Sequence, residues 1–177
     1  MHGPDFGGEV NDRRIFLYDT FAGMTKPGQL DIKKHRPHLA TFSLNYDRYQ
    51  EMQMGDINLR CYASLDSVKD IVYATRYPPE NFHFVIGDVL NTLPNDLHDT
   101  IGLLRLDTDW YDSTKHELQH LFDKLVPRGI LISDDYGSWE GCTGLIEPDT
   151  LMRDNNRQTL RCHYGAETNI QAIHQRV

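Results

Sequence analysis

Residues 104–114 read LRLDTDWYDST, and this stretch decides the fold, because an apolar run ends there in a D-x-D motif and leads towards a helix. The apolar run over residues 101–106 is continuous rather than alternating, which predicts a strand buried on both faces. A helix is expected to begin near Ser113 or Thr114, where T-K-H-E fits a capping box. A buried strand followed by a helix is the repeating unit of α/β proteins.

Three further apolar runs flank this stretch, and each is also followed by an aspartate. They are residues 14–18 before Asp19, residues 82–86 before Asp88, and residues 129–133 before Asp134 and Asp135. A helix is predicted over residues 64–76 with Ser64 as its cap. The helix after the D-x-D motif is expected to end at Pro127 and Gly129. Strands alternating with helices predict an α/β fold, a Rossmann-like parallel sheet with helices on both faces.

Composition narrows the class of protein. The chain has 177 residues and a net charge of −8, which predicts one acidic domain over residues 1–177 and argues against nucleic acid as a partner. Residues 1–12 are expected to be a flexible start, and residues 146–177 are weakly patterned. No apolar run approaches the length of a membrane span, and no signal-peptide pattern is present. Three widely spaced cysteines, with no C-x-x-C pair, favour reduced thiols and a cytoplasmic protein.

The aspartates at the strand ends are the candidate functional residues. In a parallel sheet the carboxyl ends of the strands share one edge, which is where open α/β folds bind ligands. Clustered carboxylates repel one another and become tolerable beside a cation, and oxygen-only ligands favour Mg²⁺, Mn²⁺ or Ca²⁺. An acidic residue such as Asp19 commonly accepts hydrogen bonds from ribose hydroxyls, and Asp88 can accept one from an adenine amine. The alternative is that these aspartates cap the loops and helices that follow them.

An ordered set of motifs resembles the macrocin O-methyltransferase family. The set spans about residues 13–145 and consists of LYDTFAGM at 17–24, GDV at 87–89, TLP at 92–94, LRLDTDWYDST at 104–114, KLVP at 124–127 and ISDDYG at 132–137. The resemblance implies an enzyme that uses S-adenosylmethionine and Mg²⁺ to methylate a hydroxyl of a sugar or another small molecule.

The family pattern also assigns roles to individual residues. The metal ligands would be Asp107, Asp134 and Asp135, and Asp107 would also help deprotonate the acceptor hydroxyl. The cofactor-binding residues would be Asp19, Thr20, Phe21, Gly87 and Asp88. Any single one of these motifs is a weak signal, and the specificity comes from their order and spacing.

The family also carries a strand, a Gly-rich turn and a helix before the segment that matches Arg14, where this sequence has about a dozen residues. Relative to the class I methyltransferase fold, the sheet is therefore expected to be incomplete at its N-terminus. Exposed edges of the neighbouring strands would favour self-association into a homo-oligomer.

Three other functions compete with the methyltransferase prediction. One is a catalytically inactive, truncated homologue with a binding role. Another is a Mg²⁺-dependent phosphatase of the haloacid-dehalogenase type, which also uses D-x-D, although Tyr111 stands where that motif normally has Thr or Val. The third is a metal-dependent glycosyltransferase that uses D-x-D, which would leave Asp134 and Asp135 unexplained.

Overall fold

The computed structural model describes residues 12–31, 46–94 and 100–134, and the backbone of residues 160–164 and 172–176. In chain order its elements are β1 (Ile15–Asp19), α1 (Tyr46–Glu51), β2 (Gln53–Met54), β3 (Ile57–Asn58), α2 (Leu65–Ala74), β4 (Phe82–Ile86), α3 (Val89–Thr92), β5 (Ile101–Leu106), α4 (Tyr111–Leu121), β6 (Leu125–Ser133), β7 (Leu160–Tyr164) and β8 (Ala172–Arg176).

The chain divides into two compact units. The first unit is Met1–Thr25 with Met52–Asp88, and the second unit is Lys26–Glu51 with Val89–Val177. The single domain expected over residues 1–177 stays a prediction. Within the described residues, no helix is long and apolar enough to cross a lipid bilayer.

The first unit is built on a parallel strand pair with a helical crossover. β1 and β4 run in register from Ile15 opposite Phe82 to Asp19 opposite Ile86, and α2 lies between them in the sequence. Parallel strands require such a crossover because a tight turn cannot join their ends. Both strands match the predicted runs, which confirms this part of the fold.

Helix α2 follows the predicted pattern closely. The Ser64 hydroxyl accepts a hydrogen bond from the Ser67 amide at 3.2 Å, so Ser64 is the N-cap that the sequence indicated. On the face towards β4, the Tyr73 ring meets Phe82 and Phe84 edge-on, with ring centroids 6.1 and 6.4 Å apart. Edge-to-face aromatic contacts of this kind fix the helix on the strand.

The second unit contains a four-stranded sheet in the order β5-β6-β8-β7. β5 and β6 are parallel, with Leu106 opposite Ser133, whereas β8 is antiparallel to both β6 and β7. Strands β7 and β8 lie in residues 146–177, the part of the sequence that is weakly patterned. LRCHY and AIHQR contain no run of apolar residues, but strand pairing depends on backbone hydrogen bonds and not on such a run.

Helix α4 begins at Tyr111, earlier than the sequence indicated. Thr114 therefore lies inside the helix and is buried, so it does not occupy the N-cap position that the sequence indicated. The Asp31 carboxylate, which lies 80 residues away in the sequence, accepts the Tyr111 amide at 2.8 Å instead. A long-range cap of this kind leaves no local sequence signal.

The end of α4 and the start of β6 also differ from the prediction. The helix ends at Leu121, and β6 begins at Leu125, so Pro127 and Gly129 lie within the strand. The β5–β6 register shifts there, because Ile101 lies opposite Leu125 whereas Leu103 lies opposite Ile130. Proline is tolerated at such a bulge because it removes no hydrogen bond from the regular ladder.

The core of the second unit lies between α4 and its sheet. Phe122, Leu125 and Leu131 have no exposed surface, and Leu93, Leu106, Leu118 and Leu121 are also buried. Along β5, Leu104 and Leu106 are buried while Leu103 and Arg105 are exposed, so the expectation that this strand is buried on both faces was wrong. Successive side chains alternate between the two faces, and only one face of β5 is covered in the described structure. Burial of apolar surface on this face holds β5 and β6 in place, and with them the residues that follow each strand.

The sheets are incomplete in the sense that the sequence predicted. Among the described residues, β1 pairs with β4 alone and β5 pairs with β6 alone. Parallel strand pairs with helical crossovers and a remaining open edge form an incomplete, Rossmann-like α/β fold.

Gly23 provides a test of the first unit. A Cβ at Gly23, where φ is +83°, would lie 1.8 Å from the Asn58 carbonyl oxygen, whereas one at Gly55, where φ is +59°, would meet nothing within 4 Å. We expect Gly55→Ala to lower the free energy of unfolding by about 1–2 kcal/mol, the cost of a left-handed residue. Gly23→Ala should cost at least about 3 kcal/mol because it adds a backbone clash. Equal losses in urea unfolding would contradict the close approach of residues 23 and 58.

Candidate active site

Asp107 and Asp134 are brought together by the register of β5 and β6. Leu106 lies opposite Ser133, so the two aspartates follow neighbouring parallel strands at the same edge. The Asp134 amide donates to the Leu106 carbonyl at 3.0 Å, which continues the strand pairing beyond Ser133. The prediction that these two acidic residues share a sheet edge is confirmed.

Arg105 joins the two carboxylates. Its Nη1 lies 2.8 Å from Asp107 Oδ2, and its Nη2 lies 3.3 Å from Asp134 Oδ1. The residue lies on β5 two positions before Asp107, so both side chains leave the same face of the strand. Arg105 is not among the residues predicted from the sequence, although its i, i+2 spacing from Asp107 is a usable signal.

Asp107 titrates far above the usual range for an aspartate. Burial raises the pKa of Asp107 from 3.8 to about 6; the Arg105 guanidinium opposes the rise, and Asp134 and Asp109 add to it through their negative charges. The hydrogen bond with Asp134 raises the pKa further, because the protonated form of Asp107 can share its proton. A carboxyl group with this pKa can both accept and release a proton near neutral pH.

A buried glutamate of α4 stabilises the D-x-D turn between β5 and α4. The Thr108 hydroxyl donates to Glu117 Oε2 at 3.0 Å, and the Glu117 side chain is buried. Asp109 has a left-handed backbone with φ of 63°, and the Trp110 amide donates to the Thr108 carbonyl at 2.7 Å. The sequence assigned Glu117 to a capping box with Thr114, whereas its hydrogen bond goes to Thr108 in the turn.

Asp31 supports the same region from a distant part of the chain. Its buried carboxylate accepts the Tyr111 amide through Oδ1 and the Gly28 amide through Oδ2, both at 2.8 Å. The carboxylate therefore satisfies the first amide of α4 and joins the 28–31 turn to it. No local pattern in residues 28–31 points to this role.

The cofactor-binding residues predicted in the first unit also come together. Asp19 ends β1 opposite Ile86, and the Gly87 amide donates to the Asp19 carbonyl at 2.9 Å. Asp19 Oδ1 accepts the Phe21 amide, and the Thr20 hydroxyl donates to the Gly23 carbonyl at 2.8 Å. These hydrogen bonds shape the turn after β1, so Asp19 has a structural role whether or not it contacts a ligand.

The remaining members of this set are Phe21, Gly87 and Asp88. The Phe21 ring meets Phe84 edge-on, with ring centroids 6.2 Å apart, which fixes the turn against β4. Gly87 has a φ of 139°, a conformation that side chains rarely adopt, and half-buried Asp88 follows it. The end of β4 is therefore a tight glycine turn that places Asp88 beside the end of β1.

Asp135, the third predicted metal ligand, lies outside the described residues. Among the residues that the structure does describe, no group of three His, Cys, Asp or Glu side chains is arranged to hold a metal ion. Asp107 and Asp134 offer carboxylate oxygens that carry an excess of negative charge, and this donor chemistry fits a hard divalent cation.

His116 and His120 do not form a metal site in the described structure. Their rings are 4.2 Å apart, but His116 Nε2 faces the Leu93 carbonyl at 3.2 Å and His120 Nδ1 faces the His116 carbonyl at 2.8 Å. One nitrogen of each ring therefore contacts a backbone oxygen, so the i, i+4 spacing of the two histidines has a structural explanation.

Comparisons with known proteins point to one family. The family model described as macrocin O-methyltransferase matches residues 7–153. The chain is 28% identical over 139 residues to a demethyldecarbamoylnovobiocin O-methyltransferase of Streptomyces niveus, a match that covers 78% of this chain and 48% of that protein. It is 29% identical over 124 residues to the 8-demethyl-8-(2,3-dimethoxy-alpha-L-rhamnosyl)-tetracenomycin-C 4'-O-methyltransferase of Streptomyces olivaceus, covering 70% of this chain and 42% of that protein.

The fold has solved counterparts as well. The O-methyltransferase NovP superposes with a TM-score of 0.67 at 24% identity, covering 96% of this chain and 62% of that one. The calicheamicin methyltransferase CalS11 superposes with a TM-score of 0.52 at 21% identity, covering 92% of this chain and 60% of that one. These superpositions establish the shared fold. The chain spans about half the length of the curated relatives it matches.

The raised pKa of Asp107 predicts a pH-dependent stability. Folding raises this pKa from 3.8 to about 6, so the folded chain holds the proton more tightly than the unfolded chain. The stabilisation is therefore full below about pH 4 and is lost as the pH rises through 6. In EDTA, the stability of the native sequence relative to Asp107→Asn should fall across this window in urea unfolding. The control is Asp123→Asn, at an exposed position, and parallel curves for native sequence and Asp107→Asn would contradict the shift.

The Asp31 cap predicts a graded loss of stability. Asp31→Ala leaves the Tyr111 and Gly28 amides without their acceptor and should lower the free energy of unfolding by about 1–3 kcal/mol. Asp31→Asn keeps one oxygen and should lose less. Urea unfolding measures both, and a native-like stability for Asp31→Ala would show that water replaces the carboxylate.

Proposed function

The chain belongs to the macrocin O-methyltransferase family, and on that premise we propose that it catalyses methyl transfer from S-adenosylmethionine to a hydroxyl of a small molecule. The proposal includes a divalent cation, Mg²⁺ first, held by Asp107, Asp134 and Asp135. The single observation that carries it is the carboxylate pair of Asp107 and Asp134 at neighbouring strand ends.

The carboxylate pair supports the metal part of the proposal. Two carboxylates that share a hydrogen bond and one guanidinium concentrate negative charge at a partly exposed edge. When bound, a hard cation supplies Lewis acidity that lowers the pKa of a hydroxyl beside it. Asp135 follows Asp134 directly and is proposed as the third ligand on the strength of the family pattern.

Asp107 is proposed as the group that receives the proton of the acceptor hydroxyl. In the metal-free chain, a pKa of about 6 leaves Asp107 mostly ionised at neutral pH and makes it a stronger base than an ordinary carboxylate. S-adenosylmethionine would supply the methyl group to the hydroxyl oxygen, its sulfur keeping the electron pair of the broken bond, and the Asp107 carboxylate would accept the hydroxyl proton. The buried Glu117 and Asp31 keep the turn in place, so little reorganisation accompanies the reaction.

The first unit is proposed to bind the nucleoside part of the cofactor. Exposed Asp19, at the end of β1, can accept hydrogen bonds from ribose hydroxyls, as acidic residues at this position commonly do. Asp88 would accept from the adenine amine. Thr20, Phe21 and Gly87 would shape the turns around them, and Gly87 leaves room for a close approach to the backbone.

A sugar hydroxyl is the favoured acceptor. The name of the Streptomyces olivaceus relative specifies a rhamnosyl group as part of its substrate. The proposal therefore begins with sugars that carry free secondary hydroxyls, either as free glycosides or attached to a larger product.

Calorimetric titration tests the cofactor assignment. The chain should bind S-adenosylmethionine saturably, and Asp19→Asn should weaken binding by about tenfold, the effect expected when a charge-assisted hydrogen bond is lost. Asp70→Asn on the exposed side of α2 is the control and should bind normally. Absence of heat with and without Mg²⁺ would favour the inactive homologue with a binding role.

Methyl transfer from a labelled cofactor to a panel of glycosides tests the chemistry. Asp107→Asn should lower kcat by about 10²–10⁴-fold, because it removes the proton acceptor and one metal ligand. Asp123→Asn again serves as the control. Native-like turnover by Asp107→Asn would remove Asp107 from the mechanism, and hydrolysis of an aryl phosphate by the native chain would favour the phosphatase.

A further inference from the structure

We propose that Arg105 is an exchangeable counter-ion: its guanidinium holds the Asp107 and Asp134 carboxylates together in the metal-free chain and gives them up when a divalent cation binds. The inference rests on the proposed function, because it takes the two carboxylates as metal ligands. It assigns Arg105 a positioning role that sets metal affinity.

The hydrogen-bonding geometry is the first argument. Arg105 does not bind one carboxylate in a bidentate manner. Its Nη1 lies 2.8 Å from Asp107 Oδ2, and its Nη2 lies 3.3 Å from Asp134 Oδ1. The guanidinium thus contacts one oxygen of each carboxylate, and these are oxygens that a cation shared by the pair would need. The rigid fork of arginine makes this two-sided contact, which the single ammonium of lysine cannot reproduce.

The position of Arg105 on β5 is the second argument. Leu104 and Leu106 are buried and anchor the strand, whereas Arg105 lies on the exposed face from which Asp107 also projects. The Arg105 side chain is 51% exposed, and it can rotate into water without opening the core. Ion pairs with this exposure are weak, so a divalent cation can displace one.

The charge balance is the third argument. The metal-free pair would bring two negative groups together, and repulsion would push the strand ends apart or force protonation. Arginine stays charged at every physiological pH, so its compensation of the pair is permanent. The consequence is a site that stays assembled without metal and binds metal less tightly than the carboxylates alone would.

A metal titration shows whether the loss of Arg105 strengthens or weakens metal binding. Mn²⁺ serves as the probe, with free Mn²⁺ followed by electron paramagnetic resonance in the absence of cofactor and acceptor. Arg105→Gln should bind Mn²⁺ about three- to tenfold more tightly than the native chain, because the competing cation is gone. Arg105→Lys should lie between them. The control is Arg128→Gln on the neighbouring strand β6, which should leave the affinity unchanged.

The outcomes separate the two proposals. Equal or weaker Mn²⁺ binding by Arg105→Gln, with binding by the native chain intact, overturns the counter-ion role and leaves the metal site standing. Binding by Arg105→Gln alone supports the counter-ion role in its strongest form. If neither chain binds Mn²⁺, both the metal site and the exchange are overturned.

A metal-independent measurement tests the counter-ion directly. In EDTA, Arg105→Gln should lower Tm by about 1–4 °C because the carboxylates then repel each other, and adding Asp134→Asn to it should restore part of the loss. Arg105→Met, which also removes the charge, provides the same comparison if Arg105→Gln folds poorly. A double variant no more stable than Arg105→Gln would mean that Arg105 does not offset the Asp107–Asp134 repulsion.

Discussion

The repulsion between Asp107 and Asp134 is the constraint on which the candidate site depends. Parallel pairing of β5 and β6 places these carboxylates at adjacent strand ends, and the fold must compensate their charge. It does so with the Arg105 fork and with a raised pKa of Asp107, about 6, which burial causes first and the charge of Asp134 and a hydrogen bond with it increase. The same features make the pair suitable for a cation and for proton transfer, so the electrostatic cost of the site and its chemistry have one origin.

The turn that carries Asp107 is supported by buried polar groups rather than by apolar packing alone. Glu117 holds the Thr108 hydroxyl, and Asp31 holds the first amide of α4. Buried carboxylates are costly unless hydrogen-bonded, and here each accepts the donors that the turn presents. This arrangement fixes a strained turn, in which Asp109 has a φ of 63°, directly after Asp107.

The turn after β1 in the first unit is stabilised differently. The turn is organised by its own short side chains, Asp19 and Thr20, and by the close contact of Gly23 with the Asn58 carbonyl. Family membership and the shared fold give this turn its proposed role in binding the nucleoside. The chain spans about half the length of its curated relatives. Methyl transfer by this chain is therefore a proposal, and the titration and transfer experiments use the chain itself.

The sequence by itself determined the local pattern: the positions of four strands, the cap at Ser64, and the aspartates that follow each strand. These follow from apolar runs and from side chains that act on neighbours within a few residues. Tertiary structure alone decided that Asp31 accepts the Tyr111 amide and that Arg105 contacts Asp134. The Asp31 cap joins residues 80 positions apart. Strands β7 and β8 form on polar segments by backbone pairing, β8 with β6 and β7 with β8. Such contacts depend on where the folded chain places distant residues, and a local sequence pattern carries no record of that distance.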